Sequence, residues 1–234
     1  MNGESLTITG LDAWRGEAHI LHGIEFSIAP GRVTALLGRN GVGKTTTLLA
    51  VMGLLRAAGS IRFGDTELIG LPTHLIARQG IAYVPEDREV FTTLSVAENL
   101  RLSERPGASH RYDLVYELFP DLSVRKEQVA GTLSGGQQQM LALGRALLDE
   151  TSLLLVDEPT KGLAPIVVED VVAALDRVKD ETTVLLVEQN LAVATRLATD
   201  AIVIDEGRVV YVGEMAALAA DPALTGRYLG VEVR

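Results

Sequence analysis

Cysteine is absent from all 234 residues. That excludes disulfides and thiolate metal sites, and the cytoplasm is the simplest compartment to expect. Positive charge is scarce: 21 Lys and Arg stand against 31 Asp and Glu, a formal net charge of -10. No basic stripe is available to displace counterions from phosphates, so no nucleic-acid partner is expected. Nor does any apolar run reach the roughly 18 to 20 residues that span a bilayer, and the first residues lack the apolar core of a signal peptide. Membrane association is therefore expected to go through a partner. Repeats and low-complexity tracts are missing as well. What is present is 47% hydrophobic content, enough for a substantial core in one or two domains.

Short β-branched and leucine-rich runs predict strands at 6–11, 24–28, 33–37, 60–63, 81–84, 153–157, 183–187, 201–205 and 209–212. Several are apolar on both faces and separated by helical patterns, which implies a largely parallel sheet covered by helices, an α/β fold. The first few strands, joined by short links such as Ala29-Pro30-Gly31, read as antiparallel. Between Asp87 and Glu150 helical signals replace strands. Ser95-Val-Ala-Glu98 fits a capping box, residues 109–119 can form a second helix, and Met140, Leu143, Gly144 and Leu147 share one face of a third. Pro165 suits the first turn of a helix whose Val167, Val171, Ala174, Leu175 and Val178 share a face.

Chemistry enters at Gly38-Arg39-Asn40-Gly41-Val42-Gly43-Lys44-Thr45. This is G-x-x-x-x-G-K-[ST] between an apolar strand and a helix, the context a phosphate-binding loop requires. Backbone N–H groups from Gly38 to Thr46 would wrap the phosphates, and Lys44 would reach the β- and γ-phosphates. Thr45 can give its hydroxyl to Mg²⁺, and Asp157, ending a buried strand, can hold the same ion. Glu158 follows it, placed to accept a proton from the water that attacks the γ-phosphate. ATP with Mg²⁺ is the expected ligand.

A second glycine turn, Leu133-Ser134-Gly135-Gly136-Gln137, offers a capped helix start with its first N–H groups facing outward. Set between the phosphate loop and the acidic strand, it resembles the signature of the ATP-binding cassette (ABC) family, and the resemblance covers essentially the whole chain. It implies one domain over 1–234 with a P-loop NTPase (RecA-like) core, at 1–85 and 151–234. The sheet would be mixed and largely parallel, with an antiparallel β subdomain and an inserted helical subdomain at 86–150. It implies a head-to-tail dimer with a second ATP-binding subunit, the same chain or a homologue. In it the phosphate loop of one subunit and Ser134, Gly135, Gly136 and Gln137 of the other sandwich each ATP. On the family pattern Trp14, read here as lying in a loop, is the aromatic that stacks on adenine.

Three positions depart from the common family pattern. Glu86, in Val84-Pro85-Glu86, stands where a Gln usually senses Mg²⁺ and the lytic water; a carboxylate ligates magnesium better but adds charge near Glu158. Gln189 stands where a switch histidine is usual, and it can donate to a γ-phosphate oxygen without carrying charge. Ala164 replaces an Asp that many members use to touch the opposite subunit. As a set these look like the smaller ATP-binding subunit of branched-chain amino acid importers, with related urea and amide importers sharing much of the wording. That resemblance implies transmembrane permease subunits as partners, docked near residues 87–94, and an indirect link to a periplasmic or extracellular solute-binding protein. The place would be the cytoplasmic face of the membrane. A soluble regulatory ATPase and a nucleotide switch without appreciable turnover are the competing classes. His19, His22, His74 and His110 give no convincing metal spacing, because the segment holding His19 and His22 does not read as helix.

Overall fold

The computed structural model describes residues 4–230. Among these residues ten strands form two sheets. The first is antiparallel, in the order β2 (Ala18–Ile28), β1 (Leu6–Arg15), β4 (Arg56–Phe63), β5 (Thr66–Glu67). The second runs β10 (Arg208–Glu214), β9 (Asp200–Asp205), β3 (Val33–Leu37), β8 (Thr183–Val187), β7 (Leu153–Asp157), β6 (Ile81–Val84). All its pairs are parallel except β9 with β10. The mixed, largely parallel sheet and the antiparallel sheet are as expected. The Ala29-Pro30-Gly31 link, however, joins strands of different sheets.

Every residue of β3, β7 and β8 is buried, as strands covered on both faces must be. One face packs on α1 (Lys44–Val51) and the antiparallel sheet, with Leu36, Leu48, Ile61, Leu155 and Leu185 in one cluster. α2 (Thr73–Arg78) packs at its margin through Ile76. The other face packs on the helices α3 (Val96–Arg101), α4 (Tyr112–Leu118), α5 (Pro120–Val124), α6 (Gly135–Leu147) and α7 (Pro165–Val178). Leu100, Leu122 and Leu143 from these helices, and Phe119 between α4 and α5, share a continuous core with Leu154, Val156 and Leu186 of the sheet. α8 (Leu191–Leu197) and α9 (Met215–Ala219) close the β9 side.

The hairpin of β1 and β2 is much longer than its apolar runs, 6–11 and 24–28. Register shifts between Ile8 and Leu11, Leu11 and Ala13, and Ala13 and Trp14 break the period-two pattern that sequence reading relies on. Trp14 accordingly lies in a strand and not in a loop.

Candidate functional site

The carboxyl ends of the parallel strands gather the site, where ligands of open α/β sheets bind. β3 runs into the loop 38–43 and then α1; β6 leads to Glu86; β7 ends in Asp157, with Glu158 next; β8 leads to Gln189. The loop needs its glycines for conformation: Gly38, Gly41 and Gly43 have φ of 149°, 83° and 116°, a region side-chain-bearing residues avoid. Gly38 also approaches so closely that a Cβ would collide with the Ile204 carbonyl.

A cavity of about 360 Å³ opens over this loop, lined by Asn40, Gly41, Gly43, Lys44, Thr45, Thr46, Glu86 and Glu158, with Arg15, Ile20 and Lys161 added. Lys44 is buried. Its Nζ donates to the carbonyls of Gly38 at 2.9 Å and Arg39 at 3.1 Å, and lies 3.4 Å from Glu158 Oε1. Glu158 sits at φ 44°, a left-handed conformation that costs on the order of 1 kcal/mol and clusters at functional sites. Its other oxygen, Oε2, is 3.3 Å from Lys161 Nζ, and Lys161 in turn pairs with Glu86. These bonds, Glu86 foremost, hold the Lys161 ammonium above its ordinary range.

Asp157 is fully buried, and neither carboxylate oxygen makes a well-formed hydrogen bond, with the Thr45 and Tyr83 hydroxyls nearby. Burial pushes its carboxyl above the usual range; Glu158 and Glu86 push the same way, while Thr45 and Lys44 oppose them. A buried carboxylate left poorly paired beside a threonine hydroxyl fits a divalent cation held by oxygen ligands. Tyr83, raised chiefly by burial and then by Asp157, stays protonated beside it.

Other candidates lie apart. Gln189 is exposed and does not line the cavity. Its loop is braced by the buried Glu188, whose Oε1 accepts from Thr160 Oγ1 at 2.7 Å and whose Oε2 accepts from the N–H groups of Gln189 and Asn190 at 3.2 Å. Burial raises the Glu188 carboxyl. Ser134 and Gln137 line a separate cavity of about 370 Å³ beside Asp121 and Val167. There Ser134 Oγ accepts from Gln137 N at 3.3 Å and Gln137 Oε1 accepts from Ser134 N at 3.0 Å, a complete capping box at the start of α6. Gly136 fills a space where a Cβ would lie 2.7 Å from Val167 Cγ1. Ala164 is exposed at the N-cap of α7.

Trp14 is half-buried; the His19 ring stacks on it at 4.6 Å from β2, and the Arg56 guanidinium lies over it at 4.6 Å from β4. The bulged strand, with no helix involved, brings His19 and His22 together with Asp12, their ligand atoms within 4.8 Å of one another. His19 Nε2 is 2.8 Å from Asp12 Oδ1. Packing and pairing thus account for His19. Sequence reading missed Lys161, Glu188 and Arg15, and nothing in their local patterns singles them out.

Comparison with known proteins agrees with this geometry. The ABC transporter family profile matches residues 21–161, more than half of the chain. The chain is 43% identical over 231 residues to the high-affinity branched-chain amino acid transport ATP-binding protein BraG of Pseudomonas aeruginosa, covering 96% of this chain and 99% of that one. It is 36% identical over 210 residues to the probable branched-chain amino acid transport ATP-binding protein LivF of Archaeoglobus fulgidus, covering 87% and 89%. A crystal structure of a nucleotide-free ATP-binding cassette from an ABC transporter superposes with a TM-score of 0.83 at 24% identity, over 98% of this chain and all of that one. The family match over residues 21–161 spans the loop at 38–43, the turn at 134–137 and the acidic strand end at 157–158, and the chain belongs to the ABC transporter family, as an ATP-binding subunit.

Proposed function

We propose that this chain is the ATP-hydrolysing subunit of an importer of branched-chain or other hydrophobic amino acids, working on the cytoplasmic face of the membrane. The likeness to two branched-chain transport relatives over nearly their full lengths carries the solute class. Among the described residues no helix is long and apolar enough to cross a membrane, so the permease subunits supply the pathway and the solute-binding protein the selectivity.

Lys44 gives up its carbonyl contacts for the β- and γ-phosphates of ATP, which the N–H groups of the loop also hold. Mg²⁺, held by Asp157 and Thr45 with Glu86 in reach, would offset charge on the phosphate oxygens. Glu158 takes a proton from water as the water oxygen bonds to the γ-phosphorus and ADP departs. Ser134 to Gln137 face the ATP of the opposite subunit, with the exposed Ala164 and Ile166 (71% exposed) on the same dimer surface. Gln189 and Trp14 complete the γ-phosphate and adenine ends once subunits close.

Permease docking is supported near residues 87–94. Phe91 is 47% exposed, and Leu54 and Leu102 more so; two adjoining cavities share Ala82, Tyr83, Ser103, Arg145 and Ala146, Leu54 lines one of them, and the Arg145 guanidinium lies over the Phe91 ring at 4.9 Å. The buried Asn99 fixes this loop: its amide donates to the carbonyls of Phe91 and Ser95 and its oxygen accepts from Phe91 N. Reconstitution with its permease subunits and solute-binding protein in vesicles tests the reading. Leucine, isoleucine or valine should stimulate ATP turnover several-fold over a urea or polar amino acid control. Equal stimulation by urea alone would overturn the solute class.

A further inference from the structure

Four side chains of alternating charge form a chain across the nucleotide cavity: Lys44, Glu158, Lys161 and Glu86. Lys44 touches one oxygen of Glu158 and Lys161 the other. An exposed ion pair is worth only about 0–1 kcal/mol, and the Lys161 side chain is 50% exposed. The Glu158 end, however, is only 7% exposed, and a charge there has few alternatives in solvent. Among the described residues, Lys44 and Lys161 are the two cations that reach Glu158.

Lys44 cannot serve both Glu158 and a triphosphate. When nucleotide enters, the phosphates draw Lys44 away and Glu158 Oε1 loses its partner, while Oε2 keeps Lys161. Lys161 comes from the turn that follows Glu158 itself, where its backbone N–H donates to the Glu158 carbonyl at 3.1 Å. It therefore travels with the residue it holds. Its second contact, Glu86, comes just after β6, on the segment leading to the exposed Phe91 loop.

We propose that Lys161 is a positioning residue for hydrolysis: it clamps one oxygen of Glu158, so that the oxygen Lys44 vacates faces the attacking water, and it neutralises the extra carboxylate at Glu86. This rests on Glu158 being the base. A group held in reacting geometry contributes to the chemical step more than to ground-state binding, so its loss lowers kcat and spares KM. The clamp also explains how a site that already holds Asp157, Glu158 and a triphosphate tolerates a carboxylate at position 86.

The test is steady-state phosphate release by the full transport complex carrying Lys161→Met, Lys161→Arg, Glu86→Gln, the Lys161→Met/Glu86→Gln pair, and Glu158→Gln as control. Lys161→Met should lower kcat about tenfold or more, with KM for MgATP within about threefold. Lys161→Arg should recover most of the rate, since a guanidinium can bridge the same two carboxylates. In the Glu86→Gln background the Lys161→Met loss should shrink, because less charge is left uncompensated. Calorimetry with MgATP should give Lys161→Met an unchanged affinity, confirming a folded site. A wild-type kcat in Lys161→Met, with Glu158→Gln inactive, overturns the clamp and leaves the base assignment standing. A collapse of affinity equal to the rate loss also overturns it, as a merely structural role would produce that. Undiminished turnover in Glu158→Gln overturns the base assignment and the clamp with it.

Discussion

The two glycine turns use the same residue for opposite reasons. In the phosphate loop, Gly38, Gly41 and Gly43 are held at positive φ, Glu158 opposite them is strained at φ 44°, and neither oxygen of Asp157 makes a well-formed hydrogen bond. At the start of α6, Gly135 and Gly136 are ordinary helical residues, the helix start carries a complete capping box, and Gly136 is required only because Val167 stands too close for a side chain. The first region is strained and leaves a buried carboxylate poorly paired; the second is relaxed and paired. That contrast suits the roles proposed above, a loop that wraps its own nucleotide and a turn that presents a fixed surface to another subunit's.

The comparison breaks most visibly by adding one methyl group to each turn. Gly38→Ala should destabilise the chain by about 2–4 kcal/mol, since the backbone region and the Ile204 carbonyl both oppose it, and no single truncation nearby relieves a main-chain collision. Urea unfolding measures this. Gly136→Ala should cost less, about 1–3 kcal/mol of overpacking. Here Val167→Ala in the same chain should recover most of the loss, because the obstacle is a side chain; failure of that rescue would mean that backbone conformation matters at both turns.

The smallest effect sharpens the contrast in ligand dependence. Burial raises the folded-state pKa of Asp157 above its unfolded value, so the ionised carboxylate costs the nucleotide-free fold stability at neutral pH and the cost fades as pH falls through that raised value. Asp157→Asn should therefore raise Tm at pH 8 by about 2–4 °C, gain progressively less towards pH 4, and forfeit the extra stabilisation that MgATP gives the parent chain. Thermal unfolding across pH with and without MgATP checks all three.

Legibility in the sequence followed continuity along the chain. The strands β3, β6, β7 and β8 have the bounds their apolar runs predicted, because buried parallel strands leave an unbroken hydrophobic signature. The hairpin of β1 and β2 was read at about half its length, its bulges interrupting the alternation. Helices of five to seven residues such as α2, α5 and α8 carry too few turns for periodicity to register. At the site, contiguous motifs were readable: Gly38 to Thr45, Asp157 with Glu158, Ser134 to Gln137. Lys161 was not, since a lysine in a glycine-containing turn looks like any solvated charge until β6 brings Glu86 beside it. Gln189 was singled out by position alone, and it does not line the cavity.

Only one indole occurs in the chain, and it is already in contact with an imidazole and a guanidinium. An adenine seated on the face that His19 covers has to displace that ring. On the proposed reading, in which adenine stacks on Trp14, the protein carries its own fluorophore beside the cleft whose lining includes the neighbouring Arg15: emission from Trp14, excited selectively, would report arrival of the purine without any label, and would separate that event in time from what happens at the phosphates.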